Sequence, residues 1–191
     1  VIKGHSFSKA IIIGPSHYHS INNAAILTRY SGIKTPLGTQ PIDQTTLSSL
    51  QKMPYFDTND AIHDPEHSIQ MHLPFLQVLF PNLPIIPIII GSLDQKTSQS
   101  ISHSIRSIIT PDTLVMISSD FTHYGDRFGY LPFSDLDPDQ TYQKIKDIDM
   151  GAIDPILANN LSDYSDYIRS TQTTICGRFA IEILLQLCSK N

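Results

Sequence analysis

The chain has few cysteines and few basic residues, and each shortage excludes a class of protein. Its two cysteines, Cys176 and Cys188, both lie near the C-terminus. A disulfide framework is therefore not expected, and a reducing compartment is predicted. Lys and Arg total 13, form no cluster and leave a net charge of -5. Because nucleic-acid surfaces need clustered positive charge, nucleic acid is not an expected partner.

Long apolar segments are also missing. The longest apolar stretch covers residues 84–90, which is far too short to span a bilayer. The first residues lack the charged and then apolar pattern of a leader, so we predict a soluble, cytoplasmic protein without membrane contact. Val1 is not a methionine and an apolar strand follows almost at once, which indicates that the N-terminal segment of a longer chain is missing.

Hydrophobic residues make up 40% of the 191 positions, enough for one sizeable core. Apolar strands are predicted at residues 10–13, 84–90 and 114–117, and helical patterns alternate with them, most clearly over residues 94–109. This alternation predicts an α/β fold, a single-domain sandwich in which helices flank a mixed or largely parallel sheet. The domain is expected to cover residues 1–191.

Prolines and aperiodic stretches lead to more local predictions. Polar and apolar residues follow no clear period over residues 21–30, which predicts an extended segment at the edge of the sheet. Pro87 interrupts the strand at residues 84–90 and favours a less central position in the sheet. A helix is predicted to start at Asp64, and Pro74 is expected to kink it.

Two apolar runs end in the same way, with small residues followed by histidine. Residues 10–19 lead to His17, and residues 114–125 lead to Asp120 and His123. Ligands of open α/β sheets lie beyond the carboxyl ends of the strands, so both histidines are expected to face one cleft if their strands are neighbours. Asp120 is suited to accept the His123 N–H or to act as a ligand. Each of these residues alone also suits an ordinary loop role.

Other histidines have spacings that argue against a helical metal pair. Pro65 places His63 outside the predicted helix, so His63 and His67 do not form a zinc-binding HxxxH motif. His67 and His72 lie about 140° apart around a helix, and at most one of them is expected to point at a site.

Cys176 stands immediately before the last predicted helix. A helix N-terminus favours a thiolate, which suits a metal ligand or a nucleophile, whereas a lone cysteine is more often a small buried residue. Cys188 is assigned to that buried role. Arg178 suits an anionic ligand, a pair with Asp120 or an ordinary surface salt bridge.

Four blocks of the sequence together resemble the MEMO family: GPSHYH at residues 14–19, DPEHSIQMHLPFLQ at 64–77, SSDFTHYG at 118–125 and TICGR at 174–178. The likeness covers nearly the whole chain. In bacteria and archaea such proteins are known as the AmmeMemoRadiSam system protein B, named for association with an AMMECR1-like protein and a radical SAM protein. The resemblance implies the fold of extradiol ring-cleaving dioxygenases, which use non-heme iron.

The resemblance also implies a site. It marks His17 and Cys176 as metal ligands and keeps Asp120 and His123 close by as candidate catalytic residues, with His123 as general acid/base. Fe(II) or copper is the expected metal, and zinc also suits mixed imidazole and thiolate ligands. The family has a PHAGY block that supplies another histidine, and its absence here implies an incomplete metal shell. A thiolate in place of the dioxygenases' carboxylate argues against ring cleavage.

Two functions are compatible with these residues. One is a metal-dependent redox or oxygenase-like enzyme that takes a small molecule at the strand ends. The other is a non-catalytic binding or scaffold protein whose cleft holds a peptide or a partner protein, because family members in animals are described as binding phosphotyrosine-containing peptides. By resemblance, a radical SAM protein and an AMMECR1-like protein are the expected partners. A hydrolase with Ser16 or Ser119 as nucleophile is weaker, because neither serine lies in a G-x-S-x-G motif.

Overall fold

A five-stranded sheet organises the protein. The computed structural model describes residues 4–189, whose strands are β1 (Lys9–Pro15), β2 (Ala25–Leu27), β3 (Gly32–Thr35), β4 (Gly38–Pro41), β5 (Phe56–Thr58), β6 (Ile85–Ile90) and β7 (Thr113–Ile117). The main sheet has the order β5-β2-β6-β1-β7, and β3 and β4 form a separate antiparallel pair. Strand β1 is parallel to both β6 and β7, and β5 is parallel to β2, whereas β2 is antiparallel to β6.

Helices flank this sheet, so the predicted α/β fold with a mixed, mostly parallel sheet is confirmed. The described helices are α1 (Gln44–Leu50), α2 (Asp60–His63), α3 (Leu73–Leu79), α4 (Gln95–Arg106), α5 (Pro138–Leu157), α6 (Leu161–Thr171) and α7 (Arg178–Cys188). Asp94 caps α4 by accepting a hydrogen bond from the Thr97 N–H (2.7 Å), as expected for the clearest helical pattern. Within residues 4–189, every helix is too short or too polar to cross a membrane.

Isoleucine-rich strands form the main core. Every residue of β6 and all but the first residue of β1 are buried. Branched side chains pack well on a pleated strand, and each fully buried Ile contributes about 1.5–3 kcal/mol. Helix α7 joins this core to a smaller cluster, because Ala180 and Ile183 pack in the main core while Ile181 and Leu185 pack in the smaller one. The position of the residues just before α7 is therefore held from two sides.

Pro87 lies in β6, the central strand, so the prediction of a less central position is wrong. The carbonyls of Pro84 and Ile90 accept hydrogen bonds from β1, which means that even-numbered residues of β6 face β1 and Pro87 faces β2. The pairing with β2 runs through Ile89 and Ile90 and stops there. The missing N–H of Pro87 therefore leaves no gap in either ladder.

The segment at residues 21–30 does not lie at the edge of the sheet. Its strand β2 lies between β5 and β6, and all three of its residues are buried. A strand that is covered on both faces needs no alternation of polar and apolar residues, which explains why the segment shows no period.

Asp64 ends a helix instead of starting one. It is the C-cap of α2, and the chain bends through residues 64–69 before a 3-10 turn at Gln70–His72 leads into α3. Pro74 lies in the first turn of α3, where its missing N–H interrupts no helical hydrogen bond, so the predicted kink does not form. Because residues 64–69 are not helical, they are free to turn towards the end of β1.

Candidate metal centre

Parallel pairing of β1 and β7 brings the two predicted loops together. The chain leaves both strands at the same edge of the sheet, where the Ser118 N–H donates to the Ile13 carbonyl (2.9 Å). A cavity of about 250 Å³ lies at this edge. Its walls are formed by His17, His67, Ser68, Met71, His72, Ser118, Ser119, Asp120 and Cys176. We call it the metal cavity.

His17 is held against Glu66 by two hydrogen bonds. The His17 backbone N–H donates to Glu66 Oε2 (2.6 Å), and the imidazole Nδ1 lies 2.9 Å from Glu66 Oε1. An ionised carboxylate only accepts hydrogen bonds, so Nδ1 carries the proton and Nε2 keeps its lone pair. The His17 ring is therefore fixed in one tautomer, with one nitrogen free to bind a ligand.

Glu66 is one of the most buried polar residues, with 2% of its surface exposed. Its Oε1 also accepts the backbone N–H groups of His67 and Ser68, each at 2.9 Å. Burial alone would raise the pKa of Glu66, but the hydrogen bonds donated by His17 and Ser68 outweigh it and hold the pKa below its usual value. Ser68 in turn donates its hydroxyl to the Pro15 carbonyl (3.0 Å), which ties this loop to the end of β1.

A compact group of metal-binding side chains surrounds this carboxylate. One candidate ligand atom from each of His17, Glu66 and His67 lies within 4.8 Å of the others. The His17 and His67 rings stack with centroids 4.7 Å apart, and His67 Nδ1 lies 3.4 Å from Glu66 Oε1. This triplet is a candidate metal-binding group. Four hydrogen bonds already engage the Glu66 carboxylate, however, which favours an orienting role for it over direct ligation.

His67 and His72 both line the metal cavity, and of the two it is His67 that belongs to the compact group of candidate ligand atoms with His17 and Glu66. The angular argument required a helix through both residues, and residues 64–69 are not helical. Burial lowers the pKa of His72, which keeps the ring neutral and available as a ligand at neutral pH.

Cys176 reaches the same cavity from the other side, immediately before α7 as predicted. Its Sγ accepts the Asp120 backbone N–H (3.0 Å), and its own N–H donates to the Asp120 carbonyl (3.3 Å). The next residue, Gly177, donates its N–H to Ser119 Oγ (3.1 Å). A Cβ atom at Gly177 would lie 2.5 Å from the Ser118 carbonyl oxygen, so only glycine permits this close approach. Cys188 is exposed, and its assignment to a buried role is wrong.

Asp120 and His123 occupy the outer part of this side. The Asp120 side chain is 84% exposed, and its Oδ2 lies 3.7 Å from His123 Nε2, which is too far for a hydrogen bond. His123 instead places Nδ1 2.9 Å from the Thr174 carbonyl, which can only accept, so Nδ1 carries the proton and Nε2 is the basic nitrogen. Asp120 lines the metal cavity and His123 does not, so the two histidines at the strand ends do not share its wall. The catalytic roles of Asp120 and His123 stay predictions.

Comparison with known proteins identifies the family of this chain. A family model described as "Memo-like protein" matches residues 2–191. The chain belongs to the Memo-like family. Among its relatives, the protein memo-1 homolog of Caenorhabditis elegans is 35% identical over 182 residues, covering 93% of this chain and 52% of the relative.

Relatives of this Memo-like protein occur in archaea and in animals. The MEMO1 family protein PH1626 of Pyrococcus horikoshii is 33% identical over 175 residues, covering 87% of this chain and 60% of the relative. Human protein MEMO1 is 31% identical over 183 residues, covering 93% and 61% respectively. The chain therefore spans between half and two thirds of the length of these relatives. An uncharacterized protein of Escherichia coli K12 aligns structurally with a TM-score of 0.44 and 12% identity, over 93% of this chain and 75% of that one.

Sequence reasoning missed Glu66 as a site residue of this Memo-like protein. The helix predicted to start at Asp64 would contain Glu66 in its first turn, whereas the structure buries Glu66 beside His17 in a segment that is not helical. The one signal in the sequence is that an acid stands directly before His67 in a block that carries the family resemblance. That signal identifies the segment, but it does not show that the carboxylate turns towards a residue 49 positions away.

Proposed function

We propose that this Memo-like protein binds a metal ion through His17 and Cys176 and works as a metal-dependent, oxygenase-like redox protein. The observation that carries the proposal is the His17–Glu66 pair, in which a buried carboxylate accepts Nδ1–H (2.9 Å). Histidines that ligate metals characteristically donate their other N–H to a carboxylate or carbonyl, which fixes the ring and raises its basicity. Glu66 would be this orienting residue.

The donor set fits a transition metal. His17 Nε2 has a free lone pair, and Cys176, which lines the same cavity, accepts the Asp120 backbone N–H at its Sγ (3.0 Å). Mixed imidazole and thiolate donors suit iron, copper and zinc, and His67 and His72 supply further imidazoles within the cavity. Bound iron or copper would supply one-electron chemistry. The family resemblance, and not the donor set alone, favours Fe(II) or copper.

Asp120 and His123 are proposed to move protons at the exposed side of this centre. The basic Nε2 of His123 lies 3.7 Å from Asp120 Oδ2, and the Asp120 side chain is 84% exposed, so packing does not hold it in place. A proton shared by these two groups would lie next to the metal cavity, because Asp120 forms part of its wall. His123 is the general acid/base in this proposal, and Asp120 relays the proton to the small molecule.

Metal analysis of protein purified without oxygen tests the proposal. Wild-type protein should retain close to one equivalent of iron or copper, and His17→Ala or Cys176→Ala should lose most of it. Cys188→Ala and His103→Ala are matched controls, because Cys188 is exposed and His103 lies on α4 away from the cavity. A wild-type protein without metal, or site variants that keep it, would contradict the proposal.

A second candidate function, that of a binding or scaffold protein, is favoured by an apolar surface beside the cavity. Met71, in the 3-10 turn at the cavity wall, and Phe75 and Val78, on α3, are 64%, 71% and 71% exposed and lie four and then three residues apart. Exposed apolar residues in one stripe are typical of contact surfaces for peptides or proteins. By resemblance, the expected partners are a radical SAM protein and an AMMECR1-like protein.

Calorimetric titration with each purified partner separates the two functions. Phe75→Ser should abolish partner binding without affecting metal content if the chain is a scaffold. Asp120→Asn should leave partner binding intact and serves as the control on the other wall. If neither partner binds the protein, the scaffold function is contradicted.

A further inference from the structure

A second cavity, of about 370 Å³, adjoins the metal cavity, and Cys176 lines both. It lies between the ends of β1 and β6 and the first turn of α7, and its walls include Ser16, His19, Ser92 and Arg178. We call it the Arg178 cavity. Its volume falls within the range of small-molecule sites.

The wall of the Arg178 cavity is positive or neutral throughout. Among the described residues that line it there is no Asp or Glu, although the whole chain has 18 acidic residues against 13 basic ones. The Arg178 guanidinium lies 4.8 Å from the centroid of the Phe179 ring, a cation–π contact that limits its motion. Within residues 4–189 no carboxylate forms a salt bridge with Arg178. Pairing with Asp120 and a surface salt bridge, two of the three roles expected for Arg178, are therefore not found.

Hydrogen-bond donors accompany the guanidinium. Ser20 and Ser92 place hydroxyl groups around the cavity, whereas the Ser16 hydroxyl already donates its hydrogen to the His19 carbonyl (2.8 Å). The first turn of α7 has no side-chain cap, so its N–H groups add to the positive potential. The Arg178 charge acts on Glu182, four residues further along α7, where it opposes the burial that raises the Glu182 pKa, but Glu182 lines a different cavity and forms no salt bridge with Arg178. A guanidinium with neutral donors beside it and no carboxylate at salt-bridge distance is the chemistry that recognises carboxylates and phosphates.

We propose that the Arg178 cavity binds the anionic group of a small organic molecule, with the rest of that molecule extending past Cys176 into the metal cavity. The anionic group is a carboxylate or a phosphate monoester. The part of this proposal that concerns a substrate rests on the proposed metal-dependent function, because it names the class of molecule that would reach the metal. Binding of the anion itself requires only Arg178 and its neighbours.

Calorimetric titration with benzoate, phenyl phosphate and benzyl alcohol, in the presence of a chelator, tests the proposal. At least one of the two anions should bind wild-type protein, and the neutral alcohol should bind at least tenfold more weakly. Arg178→Gln should weaken anion binding about tenfold, and Arg178→Lys should weaken it less, because lysine keeps the charge without the planar fork. Arg169→Gln is the matched control, because Arg169 pairs with Asp166 on α6 and lines a different cavity.

The outcomes separate this proposal from the metal proposal. If neither anion binds wild-type protein, or if Arg178→Gln and Arg169→Gln behave alike, the Arg178 cavity is not an anion site. Circular dichroism spectra show whether both Arg178 variants are folded. If Arg178→Gln is unfolded, the comparison of Arg178→Lys with wild-type protein is the test. If anion binding depends on Arg178 while the metal-loaded form cannot be obtained, the anion site stands and the metal function fails. A stronger response to benzoate or to phenyl phosphate identifies the anionic group.

Discussion

The two sides of the metal cavity differ in how firmly the protein holds them. On the His17 side, Glu66 is 2% exposed and four N–H groups surround its carboxylate. On the Cys176 side, the Asp120 carboxylate is 84% exposed, and the contact with Cys176 runs through the Asp120 backbone. A satisfied buried network is rigid and expensive to disturb, whereas an exposed carboxylate moves freely. In the function that we propose, the first side would position the metal ligand His17, and the second side would be free to adjust.

Glu66→Gln is expected to have the largest effect. The neutral amide cannot accept all four N–H groups, so stability should fall by about 1–3 kcal/mol and metal affinity by about 10–100-fold. Urea denaturation and competitive metal titration measure the two quantities. Glu182→Gln is the matched control, because burial raises the pKa of Glu182 and this residue lies outside the metal cavity. Equal losses of stability and metal affinity in the two variants would show that Glu66 contributes no more than another partly buried glutamate.

Gly177→Ala should destabilise the Cys176 side. The added Cβ would meet the Ser118 carbonyl oxygen at 2.5 Å, and a backbone atom cannot rotate away, so the expected cost is about 1–3 kcal/mol. Gly14→Ala is the comparison on the His17 side, where the Cβ would meet the Ser68 hydroxyl oxygen at 2.5 Å. The added Cβ would also meet the Ser68 Cβ at 2.9 Å, so relief requires the Ser68 side chain to move and to lose its hydrogen bond to Pro15. Because this moves a side chain and not the backbone, Gly14→Ala should cost less. Thermal unfolding of both variants ranks them, and the reverse order would contradict this explanation.

The pH dependence of stability should also distinguish the two sides. The folded protein holds the pKa of Glu66 below its ordinary value of 4.5, so the unfolded chain binds more protons at this residue. The stabilising contribution is present above 4.5 and is lost as the pH falls through the lower folded value. Urea denaturation at a series of pH values falling from 4.5 should therefore show a steeper loss of stability for wild-type protein than for Glu66→Gln, until Glu66 is protonated in the folded protein too. Parallel curves would mean that the Glu66 carboxylate does not contribute.

Asp120→Asn should have the smallest effect on stability, below about 0.5 kcal/mol, because the side chain is exposed. Metal content should stay at the wild-type level if Asp120 serves proton transfer and not ligation. Denaturation and metal analysis of the same preparation check both statements. Loss of metal with unchanged stability would instead make Asp120 a ligand, and the Cys176 side would then hold the metal more directly than we propose.

The sequence predicted most reliably where the signal was local. The apolar runs of β1 and β7 each lead into a loop with chemically active residues, and Asp94 caps α4 as its pattern indicates. Prediction failed where a local pattern had two outcomes. Asp64 followed by Pro65 suits a helix start, but the chain uses Asp64 to end α2. Pro87 suits an edge strand, but its nitrogen faces the β2 side of β6 at a position beyond the pairing of the two strands.

The sequence by itself determined three of the strands (β1, β6 and β7), the loops that follow β1 and β7, the family and three residues that line the metal cavity: His17, Asp120 and Cys176. Only the tertiary structure decided which side chains meet there. The order of the sheet places β1 beside β7, and contacts across 49 and 56 positions of the chain bring Glu66 to His17 and Cys176 to Asp120. Local periodicity reflects interactions within a few residues, whereas these contacts depend on how separate elements pack. For this reason Glu66, the residue that orients His17, became visible only in the folded protein.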